Sequence, residues 1–247
     1  MIFNFKFMSI WGSLIGGMIG FSLGGPFGML LGSLIGGKIS RTKGSFNNSF
    51  AQPQQVFALS LIVLSAKLSK ADGQVSKEEL IAVKDKLKIP DNELDQVGKI
   101  FNKAKEESTG YQPYAEQIAQ IYKNNLNILE EVINILFYIA EADGNISDVE
   151  LNMIEDISRI FGLNQTQFNS LKESRKSSDK LNPYVVLESN PEDNIADIRK
   201  KYIKLSKEHH PDLLLSKGVP AEVIDESKKK MRAINSAWDQ IQKLKTN

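Results

Sequence analysis

The residues that could take part in chemistry are few in this chain of 247 residues. It contains no cysteine and only two histidines, the neighbours His209 and His210. Thiol nucleophiles, disulfides, cysteine-based zinc sites and histidine-rich metal centres are therefore excluded. Pro211 and Asp212 follow His210. The histidine and the aspartate are too close in sequence for a catalytic dyad, and no serine nucleophile is indicated nearby. The sequence predicts a protein that is not an enzyme and that uses no cofactor.

Two similar segments carry acidic residues at matching positions. In residues 65–79 and 137–150 a predicted helix ends at Ala-Asp-Gly, an apolar residue follows, and Ser-x-x-Glu starts the next helix as a capping box. Four carboxylates could converge from the two copies, those of Asp72, Glu79, Asp143 and Glu150. Neither copy supplies the D-x-[DN]-x-[DN]-G pattern of a calcium-binding EF-hand. We therefore expect helix–turn–helix corners, with a metal site as the alternative.

The surroundings of these corners are predicted to be helical. Between residues 53 and 172 prolines are sparse, and apolar residues recur at intervals of three and four. The paired corners resemble those of the tellurite-resistance TerB-like domain, over about residues 55–172. This resemblance implies a helical bundle. We place the domain at 53–172, between polar linkers at 38–52 and 173–180.

The C-terminal region, residues 181–247, has the pattern of a helical hairpin. A short helix is predicted near 183–188, a second over 194–209 with Asn194 as its N-cap, and a third from Pro220 toward Lys243. The apolar side of the second helix contains Ile195, Ile198, Tyr202 and Leu205, and its basic side contains Arg199, Lys200, Lys204 and Lys207. Packing of the two long helices leaves His210, Pro211 and Asp212 at the tip. By itself, such a basic face is usually only solvated.

The combination of a basic helix, the His-Pro-Asp tripeptide and a following helix resembles the J-domain of Hsp40 co-chaperones. The resemblance implies a module that docks on the ATPase domain of an Hsp70 and stimulates ATP hydrolysis there. It implies that the Hsp70-binding residues are His210, Pro211, Asp212, Arg199, Tyr202 and Lys204. Two residues depart from the family pattern. Ile203 lies on the basic face where the family has Lys or Arg, and Glu188 replaces the usual Gly after the first helix.

The N-terminal region is of membrane type. Residues 7–37 carry no charge, and as one helix they would reach about 46 Å, enough for a single tilted span. Glycines recur at every fourth position and predict a dimerisation seam made of Gly12, Gly16, Gly20, Gly24, Gly28, Gly32 and Gly36. Positive residues follow the span, so the body is predicted to lie in the cytoplasm. The alternative is a membrane-inserted hairpin that turns at Gly24, Gly25 and Pro26.

The order of membrane span, TerB-like domain and J-domain resembles that of the DjlA-type co-chaperones of the bacterial inner membrane. The resemblance implies an all-α, single-pass protein, a homodimer that acts on a cytoplasmic Hsp70 of the DnaK type. The formal net charge is only +1, which does not support nucleic-acid binding. The alternative function is an envelope-stress scaffold, in which the TerB-like domain binds a ligand or metal and the J-domain only recruits Hsp70.

Overall fold

The computed structural model describes residues 25–35, 53–71, 77–106, 110–176, 180–221 and 224–246. Within these ranges the regular elements are all helical, as the sequence predicted. The α-helices are α1 (Gly25–Ile35), α2 (Pro53–Leu68), α3 (Lys77–Lys86), α4 (Leu94–Glu106), α5 (Gln112–Ile121), α6 (Leu126–Ala140), α7 (Asp148–Ile160), α8 (Gln165–Glu173), α9 (Pro183–Val186), α10 (Ile195–Glu208), α11 (Pro211–Ser216) and α12 (Asp225–Thr246). A short 3-10 helix, Asp91–Glu93, precedes α4.

Helices α2 and α6 form the centre of the TerB-like bundle. Both are buried on nearly every side, as expected for helices that are surrounded by protein. They pack on each other. Helix α2 also contacts α4 and α5, and helix α6 contacts α3, α7 and α8. The predicted corner at Ser147 is observed: its hydroxyl accepts from Glu150 N, and Glu150 accepts from Ser147 N at 2.9 Å.

Helix α1 packs on this bundle. The side chains of Phe27 and Leu30 are fully buried, and the Phe27 ring meets that of Tyr114 edge-on at 5.1 Å between centroids. Gly25 has a φ of +55°, so a continuous helix does not pass through it. The single helix predicted over 7–37 did not include this break, which coincides with the turn of the hairpin alternative. Among the helices described, none combines the length and apolar character needed to cross a membrane.

The C-terminal hairpin has its own small core. Val186, Leu187 and Ile198 pack with Ile234 and Ile241, all of them fully buried. The Tyr202 ring stacks on that of Trp238, with 5.1 Å between centroids and 10° between the planes. The apolar side predicted for the second helix therefore faces α12, except for the exposed Ile195 at its start.

The segment between the tip and Pro220, for which no helix was predicted, contains one. Residues Pro211–Ser216 form a short helix, α11, because His210 has the extended backbone of an N-cap and proline suits the first helical position. Helix α12 begins at Asp225, after the predicted start at Pro220. Leu214, Val219 and Ile224 join the core of the TerB-like bundle. The hairpin is thus docked on the bundle through the segment between its two long helices.

Candidate functional site

The His-Pro-Asp tripeptide lies on the surface. The side chains of His210 and Asp212 are 51% and 86% exposed. His210 caps α11, since its Nδ1 accepts from Asp212 N at 3.3 Å. Asp212 lies in the first turn, where the helix dipole favours a negative charge. The tripeptide is therefore presented to solvent on a short, capped helix.

Buried residues hold the tripeptide on both sides. His209, immediately before it, is 2% exposed and places Nε2 3.1 Å from Glu130 Oε2 on α6. Asn127, also on α6, donates to Glu208 O at 3.2 Å and accepts from Lys217 Nζ at 3.0 Å. These contacts, together with Leu214, fix the tip relative to the TerB-like bundle.

The Glu130 carboxylate is the electrostatic centre of this contact. Burial alone would raise its pKa, but the hydrogen bond and charge of His209, with the charges of Lys230 and Lys204, outweigh burial and hold the pKa below its ordinary value. Gln167 also donates to Glu130 Oε1 at 3.2 Å. The sequence analysis missed Glu130 and His209 as positioning residues. A signal was present, because a pair of glutamates interrupts the apolar run of α6.

The basic face of α10 is exposed beside the tip. Within the described part of the chain, Arg199 and Lys207 are exposed and have no carboxylate partner. Lys204 is 71% exposed and only 3.9 Å from Glu208. Lys200, by contrast, pairs with Asp197 at 2.7 Å. The face therefore keeps cations available to an acidic partner, although part of its charge is compensated by its own carboxylates.

An apolar groove joins the basic face to the tip. It has a volume of about 580 Å³ and is lined by Tyr202, Ile203, Ser206, Lys207, His210, Leu213 and Met231. The structure thus brings Tyr202 and His210 to one groove, while Arg199, Lys204 and Asp212 lie outside its lining. Ile203, the departure from the basic pattern, is 40% exposed there. Tyr202 has a structural role as well, since its hydroxyl donates to Asn235 Oδ1 at 3.3 Å.

Glu188, the second departure, adopts a backbone conformation that favours glycine. Its φ is +51°, in the left-handed region. Burial raises the pKa of its carboxyl group. Its carbonyl oxygen accepts from Lys201 Nζ at 2.8 Å, and Lys201 also contacts Asp193 at 2.9 Å. The turn is therefore kept in spite of the glutamate.

Of the four carboxylates in the alternative metal site, the structure describes the side chains of only Asp143 and Glu150. Glu150 uses Oε2 for the capping box, accepting from the backbone and the hydroxyl of Ser147. Asp143 Oδ1 accepts from Asn145 N at 3.0 Å. Asp72 and the Glu79 side chain lie outside the described residues. In the part of the chain that the structure describes, no three acidic or histidine side chains form a group able to hold a metal ion.

The predicted glycine seam also lies mostly outside the description. Only Gly28 and Gly32 fall within α1, whereas Gly12, Gly16, Gly20, Gly24 and Gly36 are not described. The seam stays a prediction.

Comparison with known proteins covers nearly the whole chain. The sequence model of tellurite resistance protein TerB matches residues 58–173, and that of the co-chaperone DjlA transmembrane domain matches residues 8–45. The Co-chaperone protein DjlA of Photobacterium profundum is 26% identical, with 96% of this chain and 99% of that protein aligned. The chain is therefore similar to DjlA-type co-chaperones over nearly its whole length. This confirms the resemblance to DjlA-type co-chaperones, and the two sequence models match its N-terminal and middle regions.

Other DjlA-type relatives align over similar lengths. The Co-chaperone protein DjlA of Coxiella burnetii is 26% identical over 95% of this chain and 98% of that protein. The Co-chaperone protein DjlA of Vibrio parahaemolyticus is 26% identical, with 80% of this chain and 81% of that protein aligned. No solved structure matches the chain significantly. The similarity to these proteins supports a co-chaperone role and a membrane anchor in the N-terminal region.

Proposed function

We propose that this chain is a single-pass protein of the bacterial inner membrane whose cytoplasmic J-domain stimulates ATP hydrolysis by a DnaK-type Hsp70. The observation that carries the proposal is the exposed His210-Pro211-Asp212 tip beside an exposed cationic helix face. An acidic partner is attracted to Arg199, Lys204 and Lys207 over several ångströms and then meets the tip at short range. ATP is hydrolysed by the Hsp70, and this chain acts by binding one state of it more tightly than the other.

The apolar groove supports two-part recognition. Cations alone give fast but weakly specific association, whereas burial of Ile203 and Leu213 adds an attraction that salt does not screen. Replacement of a basic residue by Ile203 therefore exchanges some electrostatic steering for apolar contact.

The direct test is single-turnover ATP hydrolysis by a DnaK-type Hsp70 in the presence of the full-length protein in nanodiscs. Wild type should accelerate hydrolysis, and His210→Gln should abolish the acceleration. Asp239→Asn, an exposed change on α12 away from the tip, is the matched control and should behave as wild type. Equal acceleration by wild type and His210→Gln would refute the proposal.

We also propose that the protein is a homodimer held by the part of the glycine seam that precedes Gly25. Replacing Gly20 and Gly24 by Leu prevents close approach of two helix backbones and should convert the dimer to a monomer. Cross-linking of the protein in native membranes measures this. An unchanged cross-linked dimer in the double variant would exclude the seam.

A further inference from the structure

A second cavity, distinct from the groove beside the tip, lies between the two domains. It has a volume of about 410 Å³. One wall comes from α6 and the end of α8, and the other from α12. Its lining consists of Asn134, Glu141, Ser174, Arg175, Lys176, Leu181, Lys229, Lys230, Arg232, Ala233 and Ser236. Five of these side chains are cationic and one is a carboxylate.

Part of this positive charge is already compensated. Arg175 forms a bidentate pair with Glu141, with Nε to Oε1 at 2.7 Å and Nη2 to Oε2 at 2.5 Å. Lys176 contacts Glu173 at 2.8 Å. Lys229 Nζ lies over the Tyr138 ring, 5.0 Å from its centroid. Lys230 and Arg232 have no carboxylate within salt-bridge distance among the described residues. The cavity therefore retains about two positive charges without a paired carboxylate.

Lys230 is the most informative of these residues because it is only 3% exposed. Its ammonium donates to Ser170 Oγ at 2.8 Å and Ser174 Oγ at 3.0 Å, both of which are neutral acceptors. An ammonium group has three donors, so one N–H has no acceptor among the described residues. A buried cation with neutral partners is costly unless a negative charge comes close.

Titration of Lys230 agrees with this geometry. Burial lowers its pKa to about 8, and the more distant charges of Glu130 and Glu188 only partly oppose the shift. A bound anion would raise that pKa and stabilise the protonated form.

We propose that this cavity binds a phosphate-class dianion through Lys230 and Arg232, bridging the TerB-like bundle and the J-domain. The doubly charged anion matches the two cations. The guanidinium of Arg232 supplies paired donors that suit two phosphate oxygens, and Ser236 adds a hydroxyl. The volume admits a phosphate with a small organic group, so the source is either a soluble phosphate compound or a phospholipid headgroup.

The test measures thermal unfolding of the full-length protein in detergent at pH 7.5 and constant ionic strength. Inorganic phosphate replaces chloride in one arm, and short-chain phosphatidic acid is added to the micelles in the other. At a hundredfold excess over the dissociation constant, binding raises the melting temperature by roughly 5–10 °C. A shift with inorganic phosphate supports a soluble source, and a shift with phosphatidic acid alone supports a lipid source. No shift in either arm overturns the proposal.

Two variants and a control locate the effect. Arg232→Gln, at an exposed position, should fold normally and lose most of the shift. Lys230→Met should also lose the shift while raising the melting temperature without phosphate, because it removes a buried charge. Lys228→Gln, an exposed change on the same helix whose lysine pairs with Asp225, should keep the full shift. A shift of equal size in Arg232→Gln and Lys228→Gln would overturn the assignment.

Discussion

Removal of the His209 imidazole tests how the tip is held on the TerB-like bundle. In His209→Ala, Glu130 stays buried and keeps Gln167 as a donor, but loses the contact at 3.1 Å. Breaking a buried pair by deleting one partner costs roughly 3–5 kcal/mol. We expect about 3 kcal/mol, because Gln167 and the charge of Lys230 remain. For a folded body of this size, that lowers the melting temperature by roughly 6–12 °C.

The same contact predicts a pH dependence. The pKa of Glu130 lies below its ordinary value of 4.5 in the folded protein, so the stabilisation is fully present above that value and is lost as the pH falls through the folded pKa. The difference in melting temperature between wild type and His209→Ala should thus be fully present above pH 4.5 and shrink as the pH falls through the folded pKa of Glu130. Circular dichroism of the full-length protein in detergent measures both curves.

A paired variant separates the interaction from simple loss of packing. When both partners are replaced by apolar residues, as in Glu130→Leu with His209→Leu, no buried charge is left unpaired and most of the stability should return. Lys200→Ala removes an exposed pair with Asp197 and should leave the melting temperature close to that of wild type. The reasoning is refuted if His209→Ala has the same melting temperature as wild type, or if the double variant has a lower melting temperature than His209→Ala.

Three further predictions concern single residues. Ser147→Ala removes the capping box of α7 and should cost about 1 kcal/mol, seen as a lower melting temperature; no change would mean that the cap is not used in solution. Glu188→Gly removes the strain of a left-handed backbone at a non-glycine residue and also removes a buried carboxyl group. It should raise the free energy of unfolding in denaturant titrations by about 1 kcal/mol. A lower free energy of unfolding would indicate that the Glu188 side chain has a favourable contact. Arg199→Ala should slow association with a DnaK-type Hsp70. The difference in association rate from wild type should become smaller as salt is raised toward a Debye length of about 3 Å. An association rate equal to that of wild type at low salt would show that Arg199 is not part of the binding surface.

Local patterns were enough to predict the helical class and several of the helix starts. The capping box at Ser147, the N-cap at Asn194 and the apolar stripe of α10 depend on residues within a few positions of one another. Such features are determined by backbone hydrogen bonding and by helical periodicity, and both depend only on residues that are close together in sequence. The short helix after His210 was missed although the same rule, proline at the first helical position, had been applied to Pro220.

The docking of the C-terminal hairpin on the TerB-like bundle could not be predicted in this way. The contact between His209 and Glu130 joins residues far apart in sequence, and Leu214 looks like an ordinary loop residue until it is found in the core of the other domain. The cavity around Lys230 arises only because α12 meets α6 and the end of α8.

The sequence by itself thus determined the helical class, the tripeptide and the cationic face, because each depends on residue type and short-range spacing. Only the tertiary structure decided that the tripeptide faces solvent while its neighbour His209 is buried, and that a lysine on α12 has hydroxyls as its nearest partners. The physical reason is that burial and pairing depend on which surfaces come into contact. Contacts between distant segments are determined by how much apolar area the whole fold buries and by which charges it pairs.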